Sequence, residues 1–417
     1  MSEVVTTSGF TVSDYLFSGL KVIDCATVIA APAAAMMLGD FGADVIKVEQ
    51  PGQGDMLRML SDVPATPYAD SNWFWQMDGR NKRSISLDLK TRGGLEVLHK
   101  LVAECDVFIT NQPYTVREDI GLTYEMLKPL NKKMIYASLT AYGEAGEERD
   151  RKGFDQLAYW ARSGLMDLMR EPGTKPAQGL PGMGDHPTGV ALYAGIVTAL
   201  LRRERTGEGG MVHTSLLANG LWSASGIAQG VLAGGDMPLY RELNRVDMAM
   251  MRPYRTKDDR WLQFNMIRNE ELLDLLLTAL DAIHLLADDR FSTPELMYQH
   301  RGDFGNALQA IVETKTKDEW LPIFESLDLP VNLVAIVEET ICDQQIFENR
   351  MAVRPEAPDI DTPLIINHPV KVSTVPQVGP TRAPELNEHA DEILSELGYA
   401  DDDISTLREE GALGSAT

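Results

Sequence analysis

The chain has 417 residues, of which 44% are hydrophobic, and its formal net charge at pH 7 is −24. This charge argues against nucleic acid and anionic membranes as partners, because both are recognised by basic surfaces. No apolar segment reaches the roughly 18–20 residues of a membrane span, and the length predicts a large core divided between two domains.

The N-terminal segment Met1–Gly19 is polar and has no basic region followed by an apolar run, so we expect no signal peptide. Cys25, Cys105 and Cys342 are far apart in sequence and form no CxxC pair. We therefore expect three reduced, buried thiols in a cytoplasmic protein, with neither a disulfide framework nor a metal site.

Residues 20–139 alternate between predicted strands and predicted helices. The strands are Leu20–Cys25, Ala43–Glu49, Arg83–Asp88, Asp106–Thr110 and Lys133–Leu139, and the helices are Pro32–Phe41 and Thr91–Glu104. This alternation predicts an α/β fold in which helices cover a Rossmann-like parallel sheet.

The turn after the first strand argues against a nicotinamide or flavin enzyme. It reads Ala26–Pro32 and contains no glycine, whereas a dinucleotide-binding loop needs several for close approach of the pyrophosphate. The chain also lacks the GxSxG, HExxH and P-loop patterns. Carboxylates therefore remain as the candidate reactive groups.

The segment Lys47–Lys100 has slightly more bases than acids in an otherwise acidic chain. Such a region suits an anionic small ligand, although scattered surface lysines and arginines explain it equally well.

Asp185 ends the glycine-rich turn Gly182–Gly184 and precedes the predicted helix Val190–Leu201. An aspartate at this position has two uses. It can cap the helix, where the helix dipole favours its charge, or it can project from the turn as a carboxylate nucleophile.

An ordered set of short motifs resembles the class III CoA-transferases, the CaiB/BaiF-like family that also contains the 2-methylacyl-CoA racemases. The motifs are Gly42–Glu49, Gly54-Asp55, Asn81–Lys90, Gly121–Tyr124, Ala137–Gly143, Gly153–Asp155, Gly184-Asp185 and Ile393–Gly398. The resemblance extends along nearly the whole chain and implies an enzyme that moves coenzyme A between carboxylic acids.

The resemblance implies that Asp185 attacks an acyl-CoA thioester and becomes an aspartyl-CoA thioester through anhydride intermediates. A carboxylate is ionised at pH 7 at its ordinary pKa and needs no partner base. We expect the backbone N–H groups at the start of the helix after Asp185 to stabilise the oxyanions.

The racemases of the family use a Gly-His-Asp motif, and this chain has Gly153-Phe154-Asp155 instead. Phenylalanine cannot exchange a proton, so racemisation is a minor alternative. His186 follows Asp185 directly and is interpreted as a helix-start or pocket residue. A non-catalytic CoA-binding protein is a further alternative, against which the retained Asp185 argues.

By the same resemblance, coenzyme A is a substrate, no cofactor is tightly bound, and no metal is required. The implied CoA-binding residues are Val28, Ile29, Ala30, Asn111, Lys152, Phe154 and Asp155. The loop after Asn111 departs from the family pattern, and Arg117 is a possible substitute for a missing phosphate-binding arginine.

The segments Ile29–Ala33 and Leu180–His186 most resemble those of the family branch that transfers CoA between 2-hydroxy and 2-enoyl monocarboxylic acids. A short-dicarboxylate branch is the alternative, with Arg241, Arg245 or Arg252 holding the second carboxylate. The implied organisation is a large domain from 1–205 and 335–417, a smaller α+β domain within 206–334, and an interlaced homodimer. In the smaller domain we expect a hairpin over Pro253–Met266 and helices over Glu270–Leu286 and Thr316–Leu327.

Overall fold

The computed structural model describes residues 14–64, 66–171, 173–244, 248–265, 267, 269–357 and 360–414. The chain divides into two compact units. The first comprises Met1–Arg170, Thr174–Ala228 and Phe347–Thr417, and the second comprises Glu171–Gly173 and Gln229–Ile346. The domain bounds at 205/206 and 334/335 stay a prediction.

The first unit is built on a six-stranded sheet whose strands are all parallel. Its order is β3-β2-β1-β4-β5-β6, which is the Rossmann order, so the predicted α/β class with a parallel sheet is confirmed. The strands are β1 (Lys21–Cys25), β2 (Asp44–Glu49), β3 (Arg83–Ser86), β4 (Val107–Thr110), β5 (Ile135–Thr140) and β6 (Gly210–Ser215).

Helices surround this sheet, and a π-helical turn at Gln156–Ala161 lies between two of them in sequence. In the part of the chain that ends at Leu232, the helices are α1 (Ala30–Asp40), α2 (Trp73–Gly79), α3 (Arg92–Glu104), α4 (Tyr114–Asp119), α5 (Tyr124–Leu127), α6 (Leu165–Leu168), α7 (Asp185–Thr206), α8 (Leu216–Ser223) and α9 (Ser225–Leu232).

The second unit contains a three-stranded antiparallel sheet with helices packed around Trp320 and Phe324. Its elements are α10 (Met237–Leu243), β7 (Pro253–Arg255), β8 (Trp261–Phe264), α11 (Glu270–Ala279), α12 (Pro294–Gln299), α13 (Arg301–Val312), α14 (Lys317–Ser326), β9 (Val331–Leu333) and α15 (Val337–Thr340). The chain then continues through α16 (Gln344–Glu348), the pair β10 (Ala352–Val353) and β11 (Ile365–Ile366), α17 (Ala390–Glu396) and α18 (Asp401–Glu409).

Three sequence expectations need correction. A helix expected over Glu270–Leu286 ends at Ala279, because Asp281 adopts φ of 55°, a left-handed conformation that stops a helix. Strand β6 was not expected. Cys25 and Cys105 are buried as expected, but Cys342 is exposed. The hairpin expected over Pro253–Met266 is present as β7 and β8, and Met266 itself lies outside the described residues.

Among the described residues, no helix combines the length and the apolarity that crossing a membrane requires.

Helices α1 and α7 pack against each other close to their N-terminal ends. All eleven residues of α1 are buried. At the crossing, a Cβ atom added to Gly189 would lie 2.6 Å from the carbonyl oxygen of Ala30 and 3.1 Å from the Cβ of Ala33. The absence of a side chain at Gly189 therefore allows the first turns of the two helices to lie side by side.

Substituting Gly189 by alanine should lower the free energy of unfolding by about 1–3 kcal/mol, because the new methyl group meets backbone that must shift. Chemical denaturation followed by circular dichroism measures this change. In an uncrowded helix interior the same substitution would stabilise by up to about 1 kcal/mol, so a neutral or stabilising result would show that the helices do not touch at Gly189.

Candidate active site

The candidate site lies at the carboxyl ends of β1 and β4, where the strand order of the sheet reverses. Ligands of open α/β sheets bind in the crevice at such a point. A cavity of about 350 Å³, here named the Asp185 cavity, occupies it. Its lining includes the predicted site residues Val28, Ile29, Ala30, Asn111, Lys152, Phe154 and Asp185.

Asp185 is the first residue of α7, so this helix begins five residues before the predicted start at Val190. The N-cap residue is Gly184, and no side chain caps the helix. The interpretation of Asp185 as a helix cap is therefore wrong. Its side chain is buried, with the residue 9% exposed, and its carboxylate accepts no hydrogen bond from any of the described residues.

Asp155 holds the turn that presents Asp185. Its Oδ2 accepts a hydrogen bond of 3.1 Å from the N–H of Gly184. The predicted site residue Asp155 is thus buried beneath the turn, and it does not line the cavity.

Two backbone N–H groups at the start of α7 are occupied. Asp155 accepts the N–H of Gly184, the N–H of His186 bonds to the carbonyl oxygen of Gly182, and Pro187 has no N–H. Within the described residues the N–H of Asp185 itself has no acceptor, so the expectation that this helix start stabilises oxyanions stays a prediction.

Both glycines of the turn are required by sterics. Gly182 has φ of 75°, which favours glycine. A Cβ at Gly184 would lie 2.2 Å from Oδ1 of Asp155 and 2.4 Å from the ring of Tyr159. Only glycine therefore lets Asp155 reach the backbone beneath Asp185.

Burial raises the pKa of Asp185 to about 7, and the negative charges of Asp155 and Asp78 act in the same direction. The adjacent His186 opposes this rise. The carboxylate is therefore poorly stabilised as an anion, which is the condition for a reactive nucleophile.

The lining of the cavity also contains a strained residue, Val28, with φ of 70°. A β-branched residue in this region costs about 1–3 kcal/mol. The conformation is held by Asp55, whose Oδ1 accepts a 2.8 Å hydrogen bond from the N–H of Val28. The other carboxylate oxygen of Asp55 lies 2.7 Å from Nζ of the fully buried Lys47.

Free backbone donors are found at the start of α1. Ile29 and Ala30 line the Asp185 cavity, and within the described part of the chain neither N–H has an acceptor. The N-terminal end of this eleven-residue helix also carries partial positive charge. These N–H groups can donate hydrogen bonds to an anionic group in the cavity, whereas the sequence led us to expect such donors at the start of α7.

Asn111 lines the cavity, but its amide is bound to the protein. Its Oδ1 accepts from the N–H of Thr27 at 2.9 Å, and its Nδ2 donates to the carbonyl oxygen of Thr27 at 2.7 Å. The side chain therefore fixes the turn after β1 rather than offering free polar groups to a ligand.

Arg117 cannot replace a phosphate-binding arginine. It is 1% exposed, and it donates to the carboxylate of Glu144 at 2.9 Å and to the hydroxyl of Tyr136 at 3.1 Å.

The exposed cations of the site lie on the segment before Asp155. Arg149, Arg151 and Lys152 all line the Asp185 cavity. The guanidinium of Arg149 lies 4.0 Å from the centre of the Tyr114 ring, and Lys152 forms no ion pair with a described residue. Sequence reasoning did not identify the two arginines, because no local pattern distinguishes them from other exposed arginines.

The bases of Lys47–Lys100 supply little free charge. Six of them are paired with acids inside the first unit, namely Lys47, Arg58, Arg80, Lys82, Arg83 and Arg92. Among the described residues Lys90 and Lys100 form no ion pair, so the bases of this segment that could meet an anionic ligand are reduced to these two.

Residues 14–414, apart from the gaps, contain no group of three or more histidine, cysteine or acidic side chains that could hold a metal ion. Of the arginines considered for a dicarboxylate, Arg245 lies outside the described residues, and the guanidinium of Arg252 lies 5.1 Å from the centre of the Tyr254 ring.

The sequence model of CoA-transferase family III matches residues 17–390. The chain belongs to CoA-transferase family III. It is 33% identical over 395 residues to (R)-2-hydroxy-4-methylpentanoate CoA-transferase of Clostridioides difficile, covering 94% of this chain and 98% of the relative. This class III CoA-transferase is also 33% identical to cinnamoyl-CoA:phenyllactate CoA-transferase of Clostridium sporogenes, with 95% and 96% of the two chains covered.

Among solved structures, the class III CoA-transferase is similar to a CaiB/BaiF family protein from Brucella suis. The TM-score is 0.80 and the identity is 29%, with 92% of this chain and 100% of the other covered. The recognition of the family from sequence motifs is therefore confirmed.

Proposed function

We propose that the enzyme transfers coenzyme A from an acyl-CoA to a free carboxylic acid through a thioester on Asp185. One observation carries this proposal. Asp185 is a buried carboxylate without a described hydrogen-bond partner, and it lines the same cavity as the unpaired N–H groups of Ile29 and Ala30.

In the proposed reaction, the carboxylate of Asp185 attacks the donor thioester, forming a mixed anhydride and releasing CoA thiolate. The thiolate attacks the aspartyl carbonyl, and the donor acid leaves as a carboxylate. The acceptor carboxylate then attacks the aspartyl thioester, again forming an anhydride and thiolate. Attack of this thiolate on the acceptor carbonyl yields the new acyl-CoA and regenerates Asp185.

Each attack produces an oxyanion, for which the N–H groups at the start of α1 are the available donors. Burial of the site is equally important, because water would hydrolyse the anhydride and the thioester. Phe154 and Ile29 contribute apolar surface to the cavity.

We further propose that coenzyme A extends from this cavity into a second one of about 600 Å³, named here the Lys90 cavity. The two cavities share Thr27 and Gln112. The second follows the carboxyl ends of β1, β2 and β3, and Lys90 in its lining offers a cation to the nucleotide phosphates.

For the acceptor we propose a 2-hydroxy or 2-enoyl monocarboxylic acid, because the two relatives described above are named for (R)-2-hydroxy-4-methylpentanoate and for cinnamoyl-CoA and phenyllactate. Racemisation is disfavoured by Phe154, which cannot exchange a proton and which lines the cavity where a histidine would be needed.

A cytoplasmic homodimer is part of the proposal. In the first unit, the apolar helix α8 exposes Leu221 at 51% and Trp222 at 78%. Large exposed apolar side chains on adjacent positions are typical of a subunit interface.

The test of the function is an exchange assay with a panel of acids. Acetyl-CoA and 2-enoyl-CoA donors are incubated with 2-hydroxy acids, 2-enoic acids and short dicarboxylates, and new thioesters are identified by mass spectrometry. Hydroxylamine added during turnover should convert the aspartyl thioester to a hydroxamate on Asp185 with release of CoA. A modified residue other than Asp185 would contradict the mechanism, and transfer to dicarboxylates alone would contradict the acceptor class.

The pH dependence follows from the raised pKa of Asp185. Because only the ionised form attacks, kcat/KM should fall about tenfold for each pH unit below roughly pH 7. An ordinary carboxylate would give this decline only below roughly pH 4. A profile that is flat down to about pH 5 would therefore contradict the raised pKa of Asp185.

A further inference from the structure

The imidazole of His186 lies between two hydrogen-bond acceptors. Its Nδ1 is 3.1 Å from the carbonyl oxygen of Gly182. Its Nε2 is 3.2 Å and 3.3 Å from the two carboxylate oxygens of Asp78. A neutral imidazole has only one N–H, so its other nitrogen would direct a lone pair at an acceptor. Both contacts are favourable only when the ring carries two protons and a positive charge.

Asp78 strengthens this argument because its side chain is fully buried. An ionised carboxylate in such surroundings requires a cation close by. The nearby Lys82 is bound to Asp24 at 2.9 Å, which leaves His186 as the partner that contacts Asp78 directly. Burial opposes a charged ring, but Asp78 and Asp185 overcome this and raise the pKa of His186.

Because His186 is next to Asp185 in the chain, its positive charge acts on the carboxylate of Asp185. It follows Asp185 on α7, whereas Asp78 lies on α2 and Asp155 precedes the π-helical turn. Of the charged groups that act on Asp185, Asp155 and Asp78 repel its negative charge, and His186 attracts it. The cation at this point therefore offsets part of the repulsion and of the cost of burial.

We propose that His186 is a positioning residue, held as an imidazolium by Asp78 and the Gly182 carbonyl oxygen, whose charge favours the ionised form of the buried carboxylate of Asp185. This inference rests on the proposed role of Asp185 as the nucleophile. Because both ring nitrogens are engaged by the protein, the ring acts through its charge and transfers no proton to the substrate. The sequence Asp185-His186 thus joins the nucleophile to its counter-charge.

The experiment measures both charges directly and needs no substrate. In protein labelled with ¹⁵N-histidine, the His186 signals are identified among the seven histidines by their loss in His186→Gln. In protein labelled with ¹³Cγ-aspartate, Asp185 is identified by its loss in Asp185→Asn. Both residues are titrated by NMR in the wild type, His186→Gln and Asp78→Asn. The matched control is His99→Gln, a histidine on α3 outside the site.

We expect His186 to remain doubly protonated in the wild type above pH 7 and to become neutral there in Asp78→Asn. In His186→Gln, the fraction of Asp185 that is ionised at about pH 6 should fall roughly tenfold, and the acid limb of kcat/KM should move to higher pH by the same amount. His99→Gln should change neither titration.

A His186 ring that is neutral at pH 7 in the wild type overturns the inference, as does an Asp185 titration that is unchanged in His186→Gln. If His186→Gln fails to fold, the wild-type and Asp78→Asn titrations still decide whether the ring is charged, and a neutral ring in the wild type rejects it. Absence of transferase activity in the wild type would instead reject the proposed function, since the NMR titrations do not depend on turnover.

Discussion

Asp185→Asn is expected to lose CoA transfer by at least about a thousandfold, because the amide cannot form the anhydride or the thioester. Asparagine has nearly the same volume as aspartate, and the carboxylate of Asp185 accepts no described hydrogen bond that the change would break. The loss should therefore lie in kcat, while binding of acyl-CoA, measured by calorimetry, changes little.

The same substitution should make the protein more stable at alkaline pH. Burial raises the folded-state pKa of Asp185 to about 7, above its value in the unfolded chain, so the folded protein holds this proton more tightly. The proton on Asp185 makes its full contribution to the free energy of unfolding below roughly pH 4, and this contribution is lost as the pH rises through about 7. At about pH 8.5, Asp185→Asn should exceed the wild type by roughly 2–4 kcal/mol in free energy of unfolding.

The matched control for both effects is Asp402→Asn, because Asp402 is an exposed aspartate in the first turn of α18. It should retain full activity and change stability by less than about 0.5 kcal/mol. Retained transferase activity in Asp185→Asn would reject the mechanism. If Asp185→Asn is less stable than the wild type at about pH 8.5, burial of the ionised Asp185 carboxylate does not destabilise the folded protein.

Lys47→Met is expected to cause the largest loss of stability, about 3–5 kcal/mol. The Lys47 ammonium is fully buried and lies 2.7 Å from Asp55 and 3.6 Å from Asp24. Asp24 retains Lys82 at 2.9 Å, but Asp55 loses its buried counter-charge. Since Asp55 also holds the strained Val28, the variant should lose acyl-CoA affinity under conditions in which it remains folded.

Lys21→Met provides the comparison, because it removes the same side chain from an exposed ion pair. Lys21 bonds to Glu104 at 2.8 Å, and both side chains are about half exposed. Such pairs contribute about 0–1 kcal/mol. Urea denaturation of the two variants should therefore differ by several kcal/mol, and similar values would show that the Lys47 cluster is solvated.

The sheet could be predicted where apolar strands alternate with helices. Val107–Thr110 and Ile135–Thr140 are buried at every position, so each is a continuous apolar or small-residue run of strand length. Strand β6 was not predicted because Gly210–Ser215 alternates between exposed and half-buried residues and begins with glycine. Such an edge strand has a weak local signal, and its pairing with β5 is a long-range contact.

The residue proposed to carry the chemistry could be selected from the sequence, whereas the contacts around it could not. Asp185 is selected by the Gly-Asp pair together with the ordered set of family motifs along the chain. The hydrogen bond by which Asp155 holds the turn at Gly184 joins residues twenty-nine positions apart, and no local pattern contains it. Arg117 illustrates the same limit, because only the folded chain shows that Glu144 binds its guanidinium.

The burial of Asp185 also affects which covalent states of the enzyme accumulate. In the proposed reaction, forming the aspartyl thioester replaces an anion that the cavity solvates poorly by a neutral group, while the negative charge leaves with the released acid and is hydrated in bulk water. The free energy that disfavours the ionised resting enzyme therefore favours the acylated one. An enzyme built in this way spends much of its cycle loaded with coenzyme A, ready for whichever acid arrives next.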